Sequence, residues 1–388
     1  MKNVLLRAPL LTYSGYGTHS RQIFRWLKTI PNINLSTQIL PWGITPWMIN
    51  PSLEGGLVDE IMSCSNVKIT GQFDTTVQVQ LPNEWDPTLG KTNVGISAMV
   101  ETDRCNPDWI NCCNRMDHVI VPSHHAKTVT EASGNVISPL SVVPEAFYDE
   151  LVSDNIPDLD LDLDTDFNFL IVGQLTGNNP ENDRKNIFYA IKWLCEAFSD
   201  NKDVGIVLKT NSGRNTRIDR KVTFQMLGQL VKEVRPGPYP KIHLVHGTMS
   251  LEDMAGLYRH PKIRALVTLT RGEGFGLPIL EAAAVGLPII ATNWSGHLDF
   301  LSLGKFIPLD YSLQEIDTSR VDNSIFVSGA KWAQPIEDDV KKKVRKFKSN
   351  WLKPTEWAKE LQPKLIENYS QDTINRLYDR VLGKYFKG

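Results

Sequence analysis

Twice along this chain a short, mainly apolar run gives way to a glycine-bearing loop and then to residues with helical spacing. The first instance is NVLLRA (residues 3–8), PLLTYSGYGTHS and RQIFRWLKTI, the last with Ile23, Phe24, Leu27 and Ile30 on one face. The second is FNFLIV (167–172), GQLTGNNPENDRKN and IFYAIKWLCEAF. A strand without polar alternation is covered on both sides, which happens when helices cross over between parallel strands. Each instance therefore predicts the start of its own βαβ domain. The length of 388 residues exceeds what one hydrophobic core usually serves. The expected class is α/β, with two Rossmann-like β/α/β domains facing one another across a cleft.

The first domain is expected over residues 1–150, with further strands at 67–70, 77–81, 93–100 and 118–121 and a helix over DWINCCNRM. Residues 151–166 contain DNIPDLDLDLDTD, acidic, alternately apolar and without a long helical pattern, which reads as the linker. The second domain covers 167–364, with strands at 204–209, 241–246, 265–270 and 288–291 between helical segments. Its run KKKVRKFK invites a nucleic-acid reading. Val340, Val344, Phe347 and Trp351 nevertheless fall on one helix face, which makes the lysines the solvated side. The C-terminal stretch is amphipathic and helical, with a break expected near Pro363, and from about residue 365 it is expected to pack back on the first domain.

Composition narrows the function classes. A net charge of -2 with 41% hydrophobic residues draws the molecule neither to phosphate polymers nor to anionic membranes. Five cysteines at irregular spacing, with no C-x-x-C pair, fit neither a zinc ribbon nor a thioredoxin motif. Reduced thiols in a cytoplasmic protein are expected instead. The N-terminal MKNVLLRAPLLTYSG is too polar for a signal peptide, and no apolar run is long enough to span a bilayer. Any membrane contact is expected to be peripheral.

The stretch TRGEGFGLPILEAAAVGLPII (270–290) carries Glu273 and Glu281, eight positions apart. Gly272, Gly274 and Gly276 make a loop whose backbone approaches a ligand closely, and Pro278 sits where a helix accepts a proline. The start of that helix offers free N–H groups and about half a positive charge, suited to an anion. Two carboxylates for sugar hydrolysis must flank one bond from opposite sides at about 5 to 10 Å, which neighbours on one turn do not readily do. A better fit is a pair of hydroxyl-bearing rings joined by a diphosphate, one carboxylate per ring and the anion at the helix mouth. That ligand is a nucleotide-sugar. The competing reading is two solvated glutamates stabilising a helix end.

EGFGLPILE resembles the E-x7-E signature of the retaining family-4 glycosyltransferases, whose architecture is GT-B. SGYGTHSRQIFRWL is similar to the family's N-terminal glycine loop, ETDRCNPDWINCCNRMDHVIVPS to the end of its first domain, and SVVPEAF to the start of its linker. VHGTMSLEDMAGLYRH and ATNWSGHLDFL resemble the stretches before and after the signature, so the likeness runs over residues 3 to 300 in order.

The resemblance implies roles. Glu281 would hold the ribose, and Glu273 the donor sugar, with Gly274, Phe275, Gly276 and Leu277 supplying backbone beside it. Gly15 and Gly17 would border the diphosphate, and Thr248 and Met249 the nucleobase. Of the family's basic pair, Lys185 matches. Arg184 stands in reserve for Lys185, while the other position falls on neutral Gln174, leaving Lys209 and Arg271 as substitutes. Where many members have a histidine, this chain has Glu101 and Asp103. Glu101 is expected to touch donor sugar or acceptor, so that Glu273, Lys185 and Glu101 form the catalytic set. His124 and His125 read as capping or surface residues, and His297 as a lesser candidate for the crevice.

The implied reaction moves a sugar from a nucleoside diphosphate, a UDP-sugar by frequency, to an acceptor hydroxyl with retained configuration. The nucleotide-sugar is a co-substrate, and neither a metal nor another cofactor is required, since the acceptor hydroxyl can pass its proton to an oxygen of the leaving phosphate. The acceptor stays open between glycan, lipid, protein and modified nucleic acid. It is expected on the first domain near Asp103, Trp42 and Trp47, although packing is the commoner fate of tryptophan. Two rival classes remain. A dinucleotide oxidoreductase is disfavoured because Ser20 stands where G-x-G-x-x-G needs its third glycine. A non-catalytic nucleotide-sugar-binding subunit is disfavoured because both glutamates and Lys185 are present.

Overall fold

The computed structural model describes residues 1–66, 71–174 and 179–387. The strand expected at 67–70 lies outside the described residues. In the first lobe, strands β1 (Lys2–Ala8), β2 (Ile33–Ile39), β3 (Phe73–Val79), β4 (Gly90–Ile96), β5 (His118–Val121) and β6 (Leu140–Val142) form one parallel sheet. Helices α1 (Gly15–Thr29), α2 (Leu57–Ser65), α3 (Pro107–Cys113) and α4 (His124–Ala132) connect them. The sheet order is β2-β1-β3-β4-β5-β6.

The second lobe repeats the plan with β7 (Phe167–Val172), β8 (Val204–Thr210), β9 (Lys241–His246), β10 (Ile263–Thr268), β11 (Ile289–Thr292) and β12 (Ile307–Leu309). Its helices are α5 (Ile187–Ala197), α6 (Arg217–Val234), α7 (Leu251–Arg259), α8 (Leu277–Ala284), α9 (Leu298–Leu301) and α10 (Glu337–Ser349). All pairings are parallel, in the order β12-β11-β10-β7-β8-β9, which is the Rossmann order. The two-lobed α/β architecture is therefore that of the GT-B class. In the linker region Leu159, Leu161 and Leu163 lie against the second lobe while the aspartates between them are exposed.

Four differences from the sequence reading have physical causes. Helix α1 begins at Gly15, six residues before the expected helix start at Arg21, because the Ser14 side chain caps it by accepting from the Gly17 N–H at 2.9 Å. The strand expected over 93–100 stops at Ile96, and Met99 turns with a φ of 56°, so that residues 97–101 leave the sheet for the cleft. Helix α11 (Leu352–Tyr369) runs through Pro363, and the break falls at Ser370, before α12 (Gln371–Leu382). There the chain changes lobe: Ile374, Tyr378, Leu382 and Phe386 join the core under β1, whereas Leu361 and Leu365 belong to the second lobe. Finally, an antiparallel hairpin of β13 (Tyr311–Glu315) and β14 (Lys331–Pro335), absent from the sequence reading, leaves the second lobe. Its Ile316, Phe326, Ala330 and Trp332 are buried among Met99, Val100, Cys105 and Trp109 of the first.

On α10 the expected apolar face is present, with Val340, Val344 and Phe347 buried and Trp351 half-buried beside it. None of the helices among the described residues is long and apolar enough to cross a membrane. All five cysteines are free.

Candidate active site between the lobes

In each sheet the strand order reverses once, between β1 and β3 and between β7 and β10. Loops leaving two such neighbouring strands diverge, and the crevice they leave is where open α/β sheets take ligands. Both crevices open on one cavity of about 500 Å³ between the lobes. Gly15, Tyr16, Trp42, Ala98 and Glu101 line it from the first lobe, and Arg184, Lys185, Lys209, Glu273 and Glu281 from the second.

The loop after β10 is built to touch the first lobe. A Cβ on Gly272 would lie 2.1 Å from the Glu101 carbonyl oxygen, and one on Gly274 would lie 2.6 Å from that of Ala98. Ser123 Oγ donates to the Gly274 carbonyl at 2.6 Å, again across the lobes. Gly276 has a φ of 102° and starts α8 without a side-chain cap. The Phe275 side chain is buried in the second-lobe core, so its contribution to the cavity is backbone.

Glu273 is buried, yet it is surrounded by donors. Lys185 Nζ donates to its two oxygens at 2.7 and 2.9 Å, Thr270 Oγ1 at 2.8 Å and Arg184 Nη1 at 3.3 Å. Burial alone would raise its pKa, but Lys185 and Arg184 outweigh this and hold the carboxyl down at about 2. Burial acts the other way on Lys185, lowering its pKa against the pull of Glu273. Arg184 also donates to the Gly272 carbonyl at 2.7 Å, and its Nη2 lies 3.2 Å from Glu101 Oε1. One guanidinium thus joins the first-lobe Glu101 to the second-lobe Glu273.

Glu281, in the second turn of α8, takes a hydrogen bond from Tyr258 OH at 3.0 Å. Burial pushes its carboxyl up to about 7, with Tyr258 opposing. Lys209 donates to the Gly247 carbonyl at 2.5 Å and to Asn211 Oδ1 at 3.0 Å, and burial lowers its pKa to about 8. Thr248 and Met249 line the same side, Thr248 Oγ1 receiving Asn215 Nδ2 at 2.7 Å. Trp42 stacks on Tyr16 with centroids 3.9 Å apart.

Four expected residues are elsewhere. Arg271 is only 1% exposed and donates to the carbonyls of Pro180, Glu181 and Asp183 and to Gln334, so its charge holds the loop after β7 instead of a ligand. Asp103 Oδ1 accepts from the Lys331 N–H at 2.6 Å, tying the first lobe to the hairpin. Trp47 is exposed, pairs through its backbone with the buried Thr12, and lies outside the cavity lining. Gly17 is turned against Thr12, whose carbonyl oxygen would lie 2.1 Å from a Cβ. His297 supports the loop from behind, its Nε2 2.7 Å from the Thr292 carbonyl oxygen. His124 meets Asp299 through its N–H and Nδ1, and His125 packs edge-on against Trp294.

The cavity also contains residues that sequence reasoning passed over: Tyr16, His19, Glu145, Asn211 and Tyr258. Arg184, held only in reserve, is the second cation that reaches Glu273, beside Lys185. His19, Glu145 and Tyr258 all lie in segments quoted for the family resemblance, but no spacing rule marks them.

This is the crevice of a GT-B protein, with an anion-suited helix start, two carboxylates and two cations converging on it. The sequence profile described as "Glycosyl transferases group 1" matches residues 238–308, the stretch that contains Glu273 and Glu281. Among solved structures, sucrose-phosphate synthase from Thermosynechococcus elongatus superposes with a TM-score of 0.64 at 11% identity, covering 100% of this chain and 99% of that one. Anabaena Alr3699/HepE in complex with UDP-glucose gives 0.59 at 12% identity, covering 99% and 100%. The lipopolysaccharide outer core galactosyltransferase WaaB gives 0.58 at 14% identity, covering 99% and 100%. No curated protein matches by sequence. The profile match and the architecture together support a glycosyltransferase.

Proposed function

We propose that this chain is a retaining glycosyltransferase of the family-4 type, moving a sugar from a nucleoside-diphosphate sugar to an acceptor hydroxyl. The observation that carries this is the convergence of Glu273, Lys185, Arg184, Glu281 and the start of α8 on one interlobe cavity. Glu281 takes the ribose hydroxyls, Glu273 those of the donor sugar, and Thr248 and Met249 flank the base. Lys185, Arg184 and the α8 N-terminus stabilise charge on the leaving diphosphate, without a metal. The acceptor hydroxyl attacks on the face the diphosphate leaves and passes its proton to a phosphate oxygen. The Glu101–Arg184 contact keeps the lobes together over the reacting carbon, which excludes water. HepE was solved with UDP-glucose, which favours a uridine donor here too. The acceptor lies on the first-lobe side beside Tyr16 and Trp42, in a cytoplasmic enzyme.

The test is a thermal-shift panel of UDP, GDP, ADP and their sugars, followed by donor hydrolysis. One nucleotide is expected to stabilise the protein, and Glu281→Ala to abolish the shift. A flat panel would reject the assignment.

A further inference from the structure

Glu145 is the one cavity acid for which the reaction above has no use. It follows Pro144 at the end of the first lobe, where Gln22 clamps the next residue, donating to the Ala146 carbonyl at 2.6 Å and accepting its N–H at 2.9 Å. The backbone is therefore pinned beside α1, whose first residues line the same cavity. Glu145 is 6% exposed and lines the cavity.

Its neighbours offer no counter-charge. The nearest basic atom is His19 Nδ1 at 3.8 Å, and His19, itself buried and bonded through Nε2 to Tyr378 OH at 3.0 Å, is neutral because burial lowers its pKa to about 3. The titratable groups that act on it through their charge are Tyr16 on α1, Tyr378 on α12, Glu281 on α8 and Glu273 in the loop after β10. Among the described residues no lysine or arginine pairs with it. Burial, then Glu281 and Glu273, push the carboxyl up to about 8. A second anion entering between the starts of α1 and α8 adds to the same repulsion.

We propose that Glu145 meets the bound nucleotide as a neutral acid, its retained O–H donating a hydrogen bond to a diphosphate oxygen, so that nucleotide binding is coupled to uptake of one proton from solvent. The site is thereby tuned to accept a diphosphate with Glu145 protonated and to release it as Glu145 ionises. The inference rests on the donor assignment above and adds to it a proton that the reaction scheme does not need.

The experiment is calorimetric titration of the full chain with UDP, GDP and ADP from pH 6 to 9, in buffers of different ionisation enthalpy. Wild type is expected to take up about one proton per nucleotide near pH 9, with affinity falling up to about tenfold per pH unit above 8. Glu145→Gln keeps the shape and an N–H donor. It is expected to bind with little uptake and a flatter profile. Binding by wild type without proton uptake at pH 9 overturns the inference while leaving the donor assignment intact, and needs no variant. Equal uptake in wild type and Glu145→Gln also overturns it, since the proton then goes to Glu281 or another group. If no nucleotide binds at any pH, the donor assignment fails and takes this inference with it.

Discussion

Replacing Glu273 with glutamine tests the electrostatic core of the site. In the wild type the carboxylate neutralises two cations whose side chains are 14% (Arg184) and 20% (Lys185) exposed. Glutamine keeps the volume and one acceptor oxygen but leaves Lys185 without its carboxylate and Arg184 with Glu101 alone. Breaking a buried pair in this way costs about 3–5 kcal/mol. The proton equilibrium gives a similar size: holding the carboxyl at about 2 instead of the 4.5 of a free glutamate corresponds to about 3 kcal/mol. Because the folded pKa is the lower one, this stabilisation is present above pH 4.5 and is lost as pH falls through about 2. At pH 7 it is therefore fully expressed. For a lobe of about 200 residues, 3 kcal/mol lowers the melting midpoint by about 6–12 °C. Scanning calorimetry on wild type and Glu273→Gln at pH 7 measures this directly. A diphosphate nucleotide is expected to recover part of the loss, since it supplies the missing negative charge. A variant that melts within about 2 °C of wild type at pH 7 would refute the reasoning. The ion pairs would then add nothing beyond what water gives the separated charges.

Other consequences are quicker to state. Glu281, pushed up to about 7 by burial, contributes stability that is present below pH 4.5 and lost as pH rises through 7; Glu281→Gln should flatten that decline in melts taken from pH 5 to 8. Gly272→Ala places a methyl 2.1 Å from the Glu101 carbonyl oxygen, so the lobes must part; transfer should fall about a hundredfold with the fold retained by circular dichroism. Trp332→Ala empties a site that is 2% exposed and lies against the first lobe; it should cost about 3–5 kcal/mol in urea unfolding and expose residues 311–335 to limited proteolysis.

The loop after β10 was legible from its residues because each feature there acts over a few positions. A buried apolar strand, glycines, Pro278 and a short helix are all local, and they place Glu273 and Glu281 without reference to the rest of the chain. Helix α1 shows the limit of that reading. Gly15 and Gly17 hide the apolar period, and only the Ser14 cap and the close fit of Gly17 on Thr12 reveal where the helix starts.

What the sequence by itself determined, then, is the two βα beginnings, the linker's alternation of leucine and aspartate, and the loop with its two acids. Tertiary structure alone decided which second cation joins Lys185 at Glu273: Arg184 reaches it, whereas Arg271 is consumed by carbonyls of the loop after β7. It alone set the β13–β14 hairpin on the opposite lobe and left Glu145 facing acids on α8 and the loop before it. Periodicity and capping are governed by neighbours within about a turn of helix. A charge is governed by whatever packing brings within a few ångströms, and here those partners stand 88 to 89 residues away along the chain.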